Sequence, residues 1–412
     1  MTSRNLFCVV LIIFIALTSA GCSKESVEYE HELTSWEDVM SEGKNKEVTI
    51  FMWGGNDSVN RYMDGYVADE LMDSYGIVLK RVPMNAPEFI NKLINEKKAG
   101  VSKGNADILW INAENFRTAK QGGLLWGPFT DLLPNQKQFF DNEAMDLLYD
   151  TGISIDGYEA IWGRAQLVFT YDAARVTDVP KSYQELLAWI KENPGRFTYP
   201  RLPDDFAGAA FIRNSYYELT GKYDEFQTQM SSEEFLELSE PVIRYFKEMN
   251  PYLWYEGKAF PSSQAQLDEL FKNGEVDITM GFEVGKTAGL VAAGVYPETA
   301  KTFVFDTGTI GNAHYLAIPF NSPQKAAALI VIDFLQSPQS QIKKMDPGTW
   351  GDMPAIDPLK LDVQALRELS EQSGSEASIS LEELNEKRLP EMNSQYIEWI
   401  KDIWTEHIGG KE

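Results

Sequence analysis

The sequence predicts an α/β fold with doubly wound sheets flanked by helices, and three observations carry that expectation. First, apolar runs at 48–53, 77–82 and 107–112 alternate with helical stripes, giving a βαβαβ unit over 48–125 with right-handed crossovers. Second, strands and helices resume at Gly163 in a compositionally new region and end in a strand at 276–282, a second α/β unit. Third, an extended stretch at 303–319 and a helix at 323–336 follow, as a return to the first unit would.

The elements follow in order. A short helix is expected around 36–40, then the strand 48–53, which ends in Trp53-Gly54-Gly55 and meets Asn56, Asp57 and Ser58. A continuous apolar run bounded by turn residues is what a buried parallel strand looks like. Glycines there permit close backbone approach, and the helix N-terminus beyond offers free N–H groups. That helix carries Val59, Tyr62, Met63, Tyr66, Val67, Leu71, Met72 and Tyr75 on one stripe and stops at Gly76. Pro87 opens the next helix, and the strand 107–112 runs into Asn112, Glu114 and Asn115, where Asn112 can cap a helix and face a cleft at once.

The second unit starts with an extended segment at 163–171. A helix at 180–193 stops at Asn193-Pro194-Gly195, and a short strand is expected at Phe197-Thr198-Tyr199. Asp204, Asp205 and Phe206 introduce a helix through Phe211 and Tyr216. Single helices are expected at 232–249 and 267–273, and the strand 276–282 ends at Phe282 and Glu283. The remainder, 339–408, reads as helical and charged, with its longest amphipathic portion at 381–404.

Composition narrows the function. A chain of 412 residues is long enough for two or three domains with substantial cores. A formal charge of −25 argues against nucleic-acid binding and is compatible with a cationic ligand. The two cysteines, Cys8 and Cys22, lie at the N-terminus, so no disulfide is expected in the body of the protein. Arg4, an apolar core at 6–17 and the small residues before Cys22 form a secretory signal, too short to span a bilayer. Ala20-Gly21-Cys22 resembles a bacterial lipoprotein signal in which Cys22 is lipidated, with Ser19 as a departure and ordinary cleavage near Ala20 as the alternative.

Catalytic and metal motifs are sparse. The three histidines, His31, His314 and His407, lie far apart, without HExxH or CxxC spacing, so no metal site is expected. There is no phosphate-cradling glycine motif and no nucleophile elbow. Asp204-Asp205 could supply a carboxylate pair, but adjacent residues rarely face one cleft, and helix capping is the commoner role of Asp there. No enzyme activity, catalytic residue or cofactor is expected.

These features together resemble the bacterial extracellular solute-binding proteins of ABC importers, which have a type II periplasmic-binding-protein fold. The resemblance covers roughly residues 46–400. It is carried by Asn312-Ala313-His314-Tyr315-Leu316-Ala317-Ile318-Pro319, by Phe334-Leu335-Gln336-Ser337-Pro338 and by Gly274-Glu275-Val276-Asp277-Ile278. Met52-Trp53-Gly54-Gly55, Leu109-Trp110-Ile111-Asn112-Ala113-Glu114-Asn115-Phe116 and Asn193-Pro194-Gly195-Arg196-Phe197-Thr198-Tyr199-Pro200 are similar to its YnjB-type branch, often associated with thiamine transport.

The resemblance implies a two-lobed Venus-flytrap architecture. Residues 1–21 would be the signal, 22–45 a lipid-anchored tether, 46–165 lobe 1, 166–308 an inserted lobe 2, 309–345 the return to lobe 1 and 346–412 a helical C-terminal segment. Two crossings, near 165–170 and 308–315, would act as hinges. The residues expected to line the cleft are Trp53, Gly54, Gly55, Asn56, Asn112, Glu114, Asn115, Gln166, Asp204, Asp205, Phe206, Phe282, Glu283, Asn312 and His314. Trp53, Phe206 and Phe282 would stack on a ring or cover a cation, while Glu114, Asp205 and Glu283 would pair with positive charge. The implied function is delivery of a small cationic solute, thiamine-like or polyamine-like, to membrane permease subunits by a monomeric periplasmic or surface lipoprotein. An oxyanion or chelated metal on helix N-termini and His314 is the alternative within the fold. A secreted hydrolase using Asp204 or Glu283 is the alternative outside it.

Overall fold

Strands β1 (Glu47–Met52), β2 (Val78–Pro83) and β3 (Ile108–Ile111) form the parallel part of a large sheet, with β1 between the other two. The computed structural model describes residues 33–202, 205–373 and 377–409. The signal, Cys22 and Asp204 therefore lie outside the described residues. The helices between these strands start and stop on local chemistry. Asn56 caps the helix Asp57–Arg61, and Gly76, at φ +67°, ends the helix Ala68–Tyr75 by donating to Leu71 and Met72 carbonyls. Between those two helices the chain widens to a π-helical turn over Tyr62–Val67.

β4 (Leu125–Trp126) pairs with the far end of the return strand, and β5 (Tyr149–Asp150) and β6 (Ile153–Ser154) form a small hairpin. β7 (Glu159–Gln166) lies in the large sheet, and after the single residue Leu167 the chain enters a second sheet as β8 (Val168–Asp172). That sheet is completed by β9 (Ile278–Gly281) and β10 (Ala300–Phe303) in the order β10-β8-β9. The chain returns as β11 (Thr309–Pro319), which pairs antiparallel with β3 and β7, setting Gln166 opposite Gly311 and Ala165 opposite Asn312.

The two-lobed α/β architecture stands, with one difference in the second lobe. Its sheet is antiparallel throughout the described strands, not doubly wound. β8 leaves the hinge and β10 runs back toward it, so their opposed directions follow from the crossings. Apolar runs alone do not report strand direction.

Other expectations change locally. The helix expected at 232–249 is two, Ser232–Leu238 and Glu240–Met249, because Pro241 has no N–H for a continuous helix and Ser239 bends back onto Phe235 O at 2.7 Å. Phe197-Thr198-Tyr199 is buried but pairs with no strand; Phe197 O accepts a single bond from Trp254 N at 2.8 Å. The stretch 381–404 is not one helix. It holds the helix Leu381–Glu386, then β12 (Arg388–Leu389), which pairs parallel with β11 at Thr309 and Ile310, then the helix Tyr396–Ile403. The chain thus passes from the hinge into lobe 2 again, where Met392, Tyr396, Ile400 and Trp404 pack with Tyr199, Phe211, Phe235 and Phe246. This third passage beside the two expected crossings was not anticipated. Burying these large side chains is worth roughly 1.5–3 kcal/mol each, so the C-terminus is part of the lobe 2 core.

Candidate functional site

The strand ends of the two sheets meet at Asn56 and Glu283. The Asn56 side chain does two jobs: Oδ1 accepts from Ser58 N at 2.8 Å as a helix cap, while Nδ2 donates to Glu283 Oε1 at 3.2 Å. Capping fixes the amide orientation, and the amide then presents its donors to the opposite lobe. Glu283 Oε2 accepts from Gln264 Nε2 at 3.3 Å. A Cβ at Gly281 would sit 2.3 Å from that Nε2, so glycine is required for Gln264 to reach across.

The network continues into the helix Phe206–Thr220. Asp205 caps it, accepting from Ala207 N at 2.8 Å and Gly208 N at 3.1 Å, and its other oxygen accepts from Gln264 N at 2.7 Å. Phe206 follows Asp205 and Phe282 precedes Glu283, and their rings meet at a tilt of 49° with centroids 4.9 Å apart. Phe206 is 52% exposed and Trp53 46%, large for aromatic residues at converging strand ends. Lys286 ion-pairs with Asp268. Burial lowers its pKa, but Asp268 foremost, with Glu283 and Asp205, outweighs that and leaves it raised.

The Trp-Gly-Gly turn is held by packing. A Cβ on Gly54 would lie 2.8 Å from Pro83, and one on Gly55 would lie 2.5 Å from the Trp53 ring, which folds over it. Asn60 Nδ2 fixes the Gly54 carbonyl at 3.0 Å.

A second group lies at the end of β3. Asn112 is the N-cap of the helix Ala113–Gln121 and makes no side-chain capping bond; Glu114 and Asn115 stand half-buried in its first turn. Ala113 has φ +52°, and its N–H donates to the buried Asp150 carboxylate. Loss of solvation pushes Asp150 up to about 7, opposed by the bonds from Ala113 and Thr151 and aided by Glu391. Arg117 reaches Ser394 Oγ at 3.2 Å, tying this helix to the C-terminal passage.

The remaining expected residues belong to the hinge. Gln166 is buried, with Nε2 on Thr309 Oγ1 at 3.0 Å and Oε1 lacking a partner. Asn312 Oδ1 is likewise buried without a partner, and its carbonyl accepts from Arg388 Nη2 at 3.1 Å. His314 is set inside lobe 1, in ring contact with Trp110, Trp162 and Trp350, its Nε2 3.2 Å from Asp352. The structure therefore gathers Trp53–Asn56 with Asp205, Phe206, Phe282 and Glu283, and places His314 among packed indoles.

Sequence reasoning missed Gln264, Arg213, Asp150 and Glu391. Gln264 opens a helix expected to start only at Leu267, Arg213 lies mid-helix, Asp150 sits in a hairpin that carries no apolar run, and Glu391 falls in the stretch expected to be one amphipathic helix. Only tertiary pairing reveals them.

Comparison with known proteins agrees with the fold. The family model for bacterial extracellular solute-binding proteins matches residues 66–365. Protein YnjB of Escherichia coli (strain K12) is 36% identical over 330 residues, covering 80% of this chain and 84% of that protein. The spermidine/putrescine ABC transporter substrate-binding protein PotD from Streptococcus pneumoniae superposes with a TM-score of 0.62 at 13% identity, over 87% of this chain and 97% of PotD. The periplasmic binding protein AfuA from Actinobacillus pleuropneumoniae, with fructose-6-phosphate bound, gives 0.59 at 14% identity, over 88% and 98%. At such identities these two likenesses show the fold alone.

Proposed function

The chain belongs to the family of bacterial extracellular solute-binding proteins, and we propose that it captures a small organic cation between its lobes for delivery to an ABC permease. Members of this family are the solute-binding components of ABC transporters, not enzymes, and act at the periplasmic or outer face of the membrane. Among the described residues no helix is long and apolar enough to cross a membrane. Anchoring through a lipidated Cys22 and action as a monomer are part of the proposal.

One observation carries the reading: the 3.2 Å bond from Asn56 to Glu283 joins a β1 strand end to a β9 strand end, beside open aromatic surface. Open α/β sheets bind ligands at such strand ends, and interlobe clefts are the usual pocket. Glu283 and Asp205 supply negative charge, and Phe206, Phe282 and Trp53 supply ring faces that attract cations. Asn112, Glu114 and Asn115 would complete the lobe 1 wall, with Gly54 and Gly55 as backbone surface and Gln166 and Asn312 beneath, at the hinge.

PotD is named for the cations spermidine and putrescine and AfuA holds the anionic fructose-6-phosphate, so these fold neighbours do not choose the charge of the solute, and the cationic reading rests on the acids and rings of the cleft. The alternative built on His314 gains no support, because that ring is packed between indoles and hydrogen-bonded to Asp352. Among the described residues no cluster of three or more His, Cys, Asp or Glu could hold a metal. The hydrolase alternative gains none from Glu283, whose two oxygens both accept from amides.

The test is mass spectrometry of small molecules released by denaturing the purified protein, with a thermal-shift panel of thiamine, polyamines, amino acids, sugars and oxyanions. A ligand at a hundred times its Kd should stabilise by about 2.7 kcal/mol. Stabilisation by oxyanions but by no cation would overturn the cationic reading.

A further inference from the structure

The Phe206 ring offers the most open aromatic surface at the site, and it is backed by charge. The Arg213 guanidinium lies over it, 5.2 Å from the centroid and two turns along the same helix. Arg213 is 3% exposed, and Glu391 grips it as a fork, Nε to Oε1 and Nη2 to Oε2, both at 2.9 Å. Bidentate geometry of this kind fixes both side chains. Glu391 comes from 178 residues away, on the third passage just after β12. Asp150 of lobe 1 and Tyr217 of the Arg213 helix lie within electrostatic reach of it.

We propose that Glu391 sets the charge selectivity of the solute site: by neutralising Arg213 beneath Phe206 it leaves the open part of that ring attractive to cations, and without it the same wall favours anions. The inference rests on the reading of Phe206 as a solute contact. The ring's own quadrupole attracts positive charge weakly, so a bare guanidinium behind it reverses the balance. A solute stacked on the ring would lie about 9 Å from that guanidinium, given a van der Waals separation of about 3.5 Å. At that distance and an effective dielectric of 20–40, one unbalanced charge changes affinity by roughly tenfold, in opposite directions for cations and anions. A residue that only props up the fold would weaken both alike.

The experiment has two arms, both in the full chain with Cys8 and Cys22 replaced by serine. In the first, Phe206→Cys places a thiol at the wall, and its alkylation rate is followed against pH with Glu391 intact and as Glu391→Gln. A positive neighbour stabilises the thiolate, so Glu391→Gln should lower the midpoint by half a unit or more. An unchanged midpoint overturns the inference and leaves Phe206 as a solute contact untouched. In the second arm, with Phe206 restored, benzyltrimethylammonium and benzoate are titrated calorimetrically. Glu391→Gln should weaken the cation and strengthen the anion by about tenfold each, and Arg213→Gln with Glu391→Gln should restore the cation preference. Should Glu391→Gln fail to fold, that double variant, which buries no net charge, still has to match the wild-type preference. Equal loss of both probes overturns the inference. A thiol shift with neither probe binding wild type overturns Phe206 as a solute contact, and the selectivity role with it.

Discussion

The backbone N–H of Ala113 donates to the carboxylate of Asp150, and that bond holds a non-glycine residue at φ +52° where β3 meets its helix. Left-handed backbone costs a residue with a Cβ about 1–2 kcal/mol, so the carboxylate is what keeps this turn shaped. The acid is buried, and loss of solvation raises its pKa to about 7. The folded protein therefore keeps this proton to near neutrality, whereas the unfolded chain releases it near pH 4.

The sign of the stability effect follows. Between about pH 4 and 7 the unfolded state binds fewer protons at this site, so Asp150 lowers stability as pH rises and adds no slope above that window. Three pKa units correspond to roughly 4 kcal/mol. Asp150→Asn keeps an acceptor for Ala113 and cannot ionise. Its stability relative to wild type should climb by a few kcal/mol from pH 4 to 7 and then level off, in urea melts at a series of pH values. Perturbed acids beyond its reach, such as Asp333, cancel in the difference, whereas Glu159, raised by burial and then by Asp150, is relieved along with it and adds to the same trend. A difference that stays flat with pH would show that Asp150 ionises normally.

Lys344 and Asp352 make the second prediction. Both are buried, 2.8 Å apart, with the ammonium also donating to Trp162 O at 2.7 Å and lying over the Trp162 and Trp350 rings. Burial raises the Asp352 pKa, but Lys344 and then His314 outweigh it and hold it below the usual carboxylate range. Lys344→Met strips the partner from a buried anion and should cost about 3–5 kcal/mol. Adding Asp352→Asn should recover most of that loss in denaturant melts. A single variant as stable as wild type would mean the pair contributes nothing. Solute affinity measured below the melting range should be unchanged, because this network supports lobe 1 from within.

At the cleft, Glu283→Gln keeps the shape and an acceptor for Asn56 Nδ2, with the Gln264 amide turning its oxygen toward the new NH2 group, and it removes the charge. Affinity for a cationic solute should fall tenfold or more in calorimetry, while the ligand-free stability in urea melts stays at the wild-type value, as the residue is only half-buried. Asp205→Ala should behave differently. It removes a helix cap and the Gln264 N contact, so it should cost about 1 kcal/mol of stability as well as affinity. Equal effects of the two variants on stability in urea melts would contradict this division of roles.

The fold was legible wherever a local rule decides it. Asp205 reads as a cap, Gly76 as a stop, and the apolar runs of β1 and β3 as buried strands, because each signal sits within a few residues of its effect; Asn112, also read as a cap, makes no side-chain capping bond, while Asn56 makes one. Strand direction in the second sheet was not legible, since β8 and β9 carry the same apolar pattern whichever way they pair. The site was half legible for the same reason. Trp53–Asn56 and Phe282–Glu283 announce themselves as strand ends. Arg213 and Glu391 are ordinary charged residues until 178 residues of chain fold between them. His314 shows the converse: a histidine in a suggestive motif whose neighbours turn out to be indoles.

The last prediction concerns two glycines that touch across the lobes. Gly285 N donates to Gly351 O at 2.9 Å, two residues after Glu283 on one side and one residue after the buried Trp350 on the other. A Cβ built on Gly285 would lie 2.6 Å from the Gly351 Cα, and one on Gly351, at φ +81°, would lie 2.9 Å from the Gly285 Cα. Both obstacles are backbone, so neither can swing aside as a flexible side chain would. Gly285→Ala therefore has to separate the segments that carry Asn56 and Glu283 or strain the lobe that bears it. Relief by separation gives up the Asn56–Glu283 and Gly285–Gly351 bonds, each worth about 1 kcal/mol, and loosens Val284 from Met353, and it remains cheaper than distorting packed backbone on both sides of the contact. The variant should show a larger radius of gyration by small-angle scattering and a solute affinity lowered by tenfold or more, with a melting temperature close to wild type. A compact variant with a sharply lowered melting temperature would instead mean that the glycine contact serves folding and leaves closure alone.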